Sequence, residues 1–256
     1  MNAATLTLSQ TKYANKAYWR NPALAFFAFV YPLMFLVIFT SIFRNANVPF
    51  GTGRVNEATY YLPAMVALAV ITVCFNNVAV AITIQRDAGV LKRINGTPLP
   101  GVAFFGARIL HAVLVSALLV VITVAFGHLF YNVAIPTGVA LLQTLVMLVV
   151  SAATFCALGF AISSVIPNAD ASLPIVNVIA LPLLFVSGVF IPLGNNPPFW
   201  MLWVGRIFPI QHFLSGMQAG FLGGAFSWTD VLVVAAWGAA ALAFAIRFFR
   251  WERPVG

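Results

Sequence analysis

Charge is what this sequence has least of. Of 256 residues only 7% are Asp, Glu, Lys or Arg, against 62% hydrophobic, and the mean hydropathy is +1.00. A soluble domain carries roughly 25% charged residues. No water-facing surface can be built from this composition, and the bilayer is the solvent that accepts it. Acids are scarcest: Glu57, Asp87, Asp170, Asp230 and Glu252 are the whole set, each in a loop or at the end of an apolar run. A proton-coupled transporter normally needs a carboxylate within the membrane, and the shortage argues against that mechanism. Cysteine is nearly missing. Cys74 and Cys156 lie inside apolar runs, which excludes a disulfide framework and a cysteine metal centre. The only lysines are Lys12, Lys16 and Lys92, and none follows a glycine, so the pattern G-x-x-x-x-G-K-[ST] does not occur. The chain cannot hydrolyse ATP by that machinery. No low-complexity tract or repeat stands out, which weighs against an inverted-repeat transporter.

Long apolar runs are what the sequence has in excess. A span needs about 20 apolar residues, and six runs qualify: 23–43, 60–84, 104–126, 137–166, 173–193 and 229–249. The expectation is an all-α polytopic membrane protein with six transmembrane helices. A seventh stretch, 199–222, contains Arg206, Pro209, Gln211, His212 and Gln218. An arginine at mid-bilayer costs about 2.5–3.5 kcal/mol on the insertion scale. A re-entrant or interfacial hairpin between the fifth and sixth helices fits better, since broken backbone is tolerated at membrane depth where protein covers it. Residues 1–22 mix Leu6, Leu8, Tyr13 and Tyr18 with Lys12, Lys16 and Arg20, a pattern for an amphipathic helix lying in the interface; a disordered basic tail is the alternative. The first apolar run is too long for the core of a cleavable signal and is expected to remain as an anchor. The organisation expected is thus an interface segment, 1–22, and a six-helix domain, 23–256.

The net charge of +8 sets topology rather than marking a nucleic-acid binder. With six spans, one side receives Lys12, Lys16, Arg20, Arg86, Lys92, Arg93, Arg108, Arg247, Arg250 and Arg253, and the other receives Arg44, Arg54 and Arg206. Ten against three places both termini in the cytoplasm, in the cell membrane. A seventh span would push the last three arginines outside.

Few groups are available for chemistry. His111, His128 and His212 have no acid or second histidine at metal-ligand spacing and read as bundle or interface hydrogen bonders. Ser163, Ser164 and Ser187 have no base nearby in sequence, so no catalytic residue is assigned, although spatial neighbours leave an intramembrane enzyme open. Tyr31, Thr40, Asn76, Asn77, Gln143 and Asn177 are the candidates for hydrogen bonding along a translocation path. Arg206, Pro209, His212, Gly216 and Gly220 form a candidate outer gate. Gly216, Gly220 and Gly224 recur every four residues, a spacing that permits close helix approach or reflects ordinary glycine enrichment in membrane helices.

The loop 85–100 is the most informative segment. Val90, Leu91 and Ile94 fall on one helical face, while Arg86, Asp87, Lys92 and Arg93 supply charge, and Gly96 and Pro98 can end such a helix. A short helix with an apolar ridge and charges suits a groove on a soluble partner; an ordinary connecting loop is the other reading.

This segment resembles the coupling-helix loop of the type-2 ATP-binding-cassette exporter permeases. Gly89-Val90-Leu91, Lys92-Arg93 and Thr97-Pro98-Leu99 stand where that family carries Gly-Thr-Leu, basic residues and Thr-Pro-Leu. Gln85 and Val90 depart from the Glu and Thr common there. Arg20-Asn21-Pro22, with Tyr31-Pro32 in the next span, is similar to the family's first helix, the stretch 181–192 to its fifth, and Pro209 with the hairpin after it to its outer re-entrant segment. The resemblance covers nearly the whole chain and extends to the daunorubicin-resistance-like drug and lipid exporters. It implies a permease subunit with no cofactor of its own. ATP and Mg would sit on a separate ABC ATPase, two copies being expected, and a second permease copy or a related permease would complete the path. Arg86, Asp87, Gly89, Val90, Leu91, Lys92, Arg93, Ile94, Thr97 and Pro98 would couple to that ATPase. The apolar spans suit a hydrophobic or amphipathic cargo, with a carbohydrate-linked lipid also open. A secondary transporter or channel without ATP is the alternative function.

Overall fold

In lipid the backbone must satisfy its own hydrogen bonds, and long apolar runs can do so only as helices or a closed barrel. The computed structural model describes residues 3–43, 48–50, 53–192, 197–249 and 251–252. Among them the chain runs α1 (Ala3–Trp19), α2 (Pro22–Ile42), β1 (Val48–Phe50), β2 (Gly53–Val55), α3 (Glu57–Ile71), a π-helical segment (Thr72–Asn77), α4 (Val78–Asp87), α5 (Val90–Asn95), α6 (Gly101–Tyr131), α7 (Gly138–Ser163), α8 (Ala169–Val186), α9 (Phe199–Ile207), α10 (Pro209–Leu222) and α11 (Trp228–Phe248). Among the described residues six helices are long and apolar enough to cross a membrane: α2, the continuous rod Glu57–Asp87, α6, α7, α8 and α11. The fold is all-α apart from a small antiparallel hairpin pairing Val48 with Val55 and Phe50 with Gly53.

The helix ends have local causes. Asn56 Oδ1 accepts from Ala58 N at 2.9 Å and Asn168 Oδ1 from Ala171 N at 2.9 Å, capping α3 and α8; each cap is worth about 1 kcal/mol. α6 ends at Asn132 in the left-handed region, φ 54°. The fifth span stops earlier than the run 173–193 implies. Gly188, at φ +80°, turns the chain just past Val186, and Leu193 lies outside the described residues. Arg44, Arg250 and Arg253, part of the charge count, also lie outside them.

The rod Glu57–Asp87 is the most enclosed span, with Tyr61, Leu62, Met65, Leu68 and Ile71 fully buried. α2, α6, α7, α8 and α10 pack around it. At its far end a second, smaller cluster joins Ile82, Leu91, Phe104, Phe160 and Ala245. The outward faces of α6, α7, α8 and α11 expose Val121, Val139, Val178, Leu232 and Ile246, as helices bordering lipid do. α1 is not a span. It leans on the first half of α6, where Thr11 Oγ1 donates to Ala107 O at 3.3 Å and Gly106 lets Thr7 approach. Its outer side mixes Leu8, Tyr13 and Trp19 with Lys12 and Lys16.

Candidate functional site

The loop joining α4 to α6 is a built object. Gly89, at φ +70°, turns the chain into the six-residue α5. Thr97 Oγ1 donates to Ile94 O at 2.6 Å beyond its last turn, and Pro100 opens α6. Leu91 has no exposed surface: it is packed against Ile82, Phe104 and Phe160 of its own chain, with Ile94 half-buried beside it. This corrects the reading of Val90, Leu91 and Ile94 as one outward ridge. In a helix so short, only Val90 of the three faces out. The exposed set is Val90, Lys92, Arg93, Thr97 and Pro98, and Lys92 lies 3.4 Å from Glu252 in a solvent-exposed pair.

Arg86 and Asp87 are turned inward as well. Arg86 is 2% exposed; its Nη1 donates to Ser163 O at 2.9 Å and its Nη2 to Ile166 O at 2.7 Å and Pro167 O at 3.3 Å. Asp87 lies 3.5 Å from Arg86 Nε and accepts from Ala169 N at 2.7 Å, at the start of α8. Both therefore tie α4 to the turn between α7 and α8. The ten expected coupling residues divide into an inner anchor, Arg86, Asp87 and Leu91, and an outer surface.

The expected path residues do not converge. Thr40 is buried, donates to Leu36 O at 2.7 Å and meets Tyr131 Oη at 3.0 Å, which makes it a strut between α2 and α6. Tyr31 stacks edge-on with Phe35 on α2, while Gln143 and Asn177 are half-buried on α7 and α8. Asn76 and Asn77 stand together in the π-helical segment and line a cavity of about 400 Å³ with Tyr18, Gln85, Arg108 and His111. π-Bulges occur frequently at functional sites. Arg108, counted above with loop charges, sits two turns inside α6.

At the other end of the bundle, Phe208 breaks α9 from α10 with an extended backbone, and Pro209 starts α10 where its missing N–H costs nothing. α10 then packs into the bundle against α3, α7 and α11, burying Ile210, Phe213, Leu214 and Met217. Gly216 gives room to Met147 and Gly220 to Thr144, so two of the spaced glycines do permit close approach of α10 to α7. His212 Nδ1 lies 2.6 Å from Asp230 Oδ1 and its Nε2 lies 2.9 Å from Arg206 O. Trp237 Nε1 donates to Ile207 O at 2.7 Å. The His212–Asp230 pair joins the hairpin to α11; 18 residues apart across a loop, it left no trace in the sequence pattern.

The chain matches the family described as ABC-2 type transporter over residues 5–222. Its relatives are proteins whose names describe them as transport permeases. One is ycf38 of Porphyra purpurea, 25% identical over 228 residues, covering 88% of this chain and 76% of that one. Another is YvfS of Bacillus subtilis (strain 168), 26% identical over 218 residues, covering 85% and 86%. A third is ycf38 of Pyropia yezoensis, 22% identical over 221 residues, covering 86% and 75%. With six membrane-length helices and a family match running from α1 to the end of α10, this chain is a multi-pass membrane protein belonging to the ABC-2 type transporter family.

Proposed function

We propose that this ABC-2 permease is half of an exporter for a hydrophobic or amphipathic cargo, drug-like or lipid-like. Two permeases frame the path and two copies of a separate ATPase drive it. Both termini are cytoplasmic, and so is the face carrying α1 and α5. What supports this reading is the anchoring of α5. Its outer side offers Val90, Lys92 and Arg93, while Leu91 fastens it from within to α4, α6 and α7, and Arg86, just before it on α4, ties that helix to the α7–α8 turn. Burying one leucine stabilises by about 1.5–3 kcal/mol, enough to make α5 move with the bundle rather than flex alone. A push on α5 by the closing ATPase is then delivered to α4, α6, α7 and α8 together. At the outer end the hairpin 199–222 is the re-entrant element of this proposal, and it opens or seals the exit. ATP and Mg belong to the ATPase; this chain supplies binding and motion.

The experiment is co-purification with the ATPase subunit in mild detergent, combined with transport. Lys92→Glu with Arg93→Glu reverses two exposed charges on α5 and leaves the buried anchor alone. The double variant is expected to melt like the parent, retain less ATPase and export less. Full ATPase retention and normal export would refute the assignment of α5. Export that persists when the ATPase is inactivated would refute the ATP-driven reading itself.

A further inference from the structure

The cavity shared by α1, the π-helical segment, α4 and α6 has a chemistry that the coupling role does not use. Its volume is about 400 Å³, and apart from Tyr18, Asn21, Asn76, Asn77, Gln85, Arg108 and His111 its wall is aliphatic. Arg108 supplies its charge. The guanidinium donates to Gln85 Oε1 at 2.5 Å and lies 5.5 Å from the Phe104 ring centre. No acidic side chain lines the cavity, and Arg108 makes no ion pair among the described residues. A half-buried cation without a counter-ion inside an apolar span is costly and marks function. Around it, Tyr18 Oη, Asn77 Nδ2, Asn76 Oδ1 and His111 Nδ1 are buried and have no hydrogen-bond partner among the described residues. Native proteins rarely leave buried polar atoms unpaired without reason. Burial pushes the Tyr18 phenol up to about 12, so it remains a neutral O–H donor across the physiological range. Four lining residues, Ala17, Asn21, Ile84 and Leu173, are exposed on the outside of the fold, so the cavity reaches the surface beside apolar side chains.

We propose that this cavity binds the anionic group, a phosphate or a carboxylate, of an amphiphile of net negative charge whose apolar chain lies along the membrane-facing surface next to Ile84; a zwitterion would bring a second cation beside Arg108 with no acid in the wall to meet it. Arg108 pairs with the charge, and the Tyr18 hydroxyl and the Asn77 amide donate to its remaining oxygens. Asn76 Oδ1 accepts from a hydroxyl on the headgroup. The aliphatic wall takes the start of the chain. The inference does not rest on the exporter reading, because it concerns binding by the permease alone.

The test uses purified full-length permease in neutral detergent, exposed separately to phosphatidylglycerol, palmitate, phosphatidylcholine and inorganic phosphate, with retained lipid read by native mass spectrometry. Phosphatidylglycerol and palmitate are expected to be retained and phosphatidylcholine not. A hydrogen bond to a charged group has the strength that gives about tenfold or more in affinity. Arg108→Gln is therefore expected to lower phosphatidylglycerol retention by about tenfold or more, and Tyr18→Phe to lower it less. Arg247→Gln, which removes an exposed cation on α11, is expected to leave it unchanged. Equal retention of phosphatidylcholine, equal retention by Arg108→Gln, or an equal loss in Arg247→Gln would overturn the proposal. So would displacement of the lipid by inorganic phosphate alone, which would make this a site for free anions. Should Arg108→Gln fail to fold, Tyr18→Phe decides, because it removes one oxygen only: unchanged retention in that variant refutes the site.

Discussion

Arg86→Met tests whether the loop is fastened from within. The guanidinium is 2% exposed and serves three backbone carbonyls, Ser163 O at 2.9 Å, Ile166 O at 2.7 Å and Pro167 O at 3.3 Å, with Asp87 at 3.5 Å. A hydrogen bond to a charged group contributes about 1.5–3 kcal/mol. The three are not additive, and the long bond to Pro167 is the weakest. Breaking a buried charge pair from one side costs about 3–5 kcal/mol because the remaining partner is stranded. Asp87 is only 13% exposed but keeps its bond to Ala169 N, which places the expected loss near the lower figure. A loss of about 3 kcal/mol is large against the 5–15 kcal/mol that holds a typical domain together. The assay is thermal melting of the purified permease, with Asp87→Asn and the double variant completing a cycle. Arg86→Met is expected to lower the melting temperature clearly, and the double variant to lose less than the two single losses added. An unchanged melting temperature with diminished ATPase retention would refute the argument. Arg86 would then face the partner, as the sequence alone suggested.

Three further outcomes are expected. A Cβ at Gly220 would press on the short, branched Thr144, while one at Gly216 would meet the flexible Met147; Gly220→Ala is therefore expected to destabilise by about 1–3 kcal/mol and Gly216→Ala by less, and equal melting temperatures would contradict this packing. Asp230→Ala leaves His212 with Arg206 O as its remaining partner and is expected to cost about 1–3 kcal/mol, a loss that should shrink when His212→Ala is already present. For topology, a cysteine placed at Ala134, exposed between α6 and α7, should react with an impermeant reagent from outside, and one at Asn95 should not; the native Cys74 and Cys156 are buried and give no background. The reverse pattern would invert the orientation.

The spans were legible because composition dictates them: each apolar run became a helix within a few residues of its expected ends, apart from the fifth, which Gly188 cuts short. The break at Pro209 and the close approach at Gly216 and Gly220 were legible for the same reason, since proline and glycine act through their own geometry. Direction was harder. In a six-residue helix, Leu91 and Val90 are neighbours in sequence, yet one is buried and the other exposed. Arg86, read as a loop charge, finds its acceptors some 77 to 81 residues away, and nothing in its local sequence says so. Arg108 was legible as a charge and not as a cavity wall, because the opposing groups come from α1 and the π-helical segment.

A change in that segment would be felt on both sides of it. Thr72–Asn77 carries its extra residue where Gly159 of α7 comes close; a Cβ there would meet Phe75 O at 3.0 Å and Cys74 O at 3.1 Å. The bulge is thus lodged against a notch rather than left free in the rod. One residue of an α-helix corresponds to about 100° of rotation and about 1.5 Å of rise. Letting the bulge out by one residue would screw α4 round by that amount relative to α3, against the hold of Arg86 on the α7–α8 turn, and α5 would swing with it through the packing of Leu91 on Ile82. The same turn would carry Asn76 and Asn77 out of the Arg108 cavity. Whatever holds the notch closed therefore holds the angle of α5, and Gly159→Ala, which crowds both carbonyls, should alter ATPase retention and lipid retention in one step.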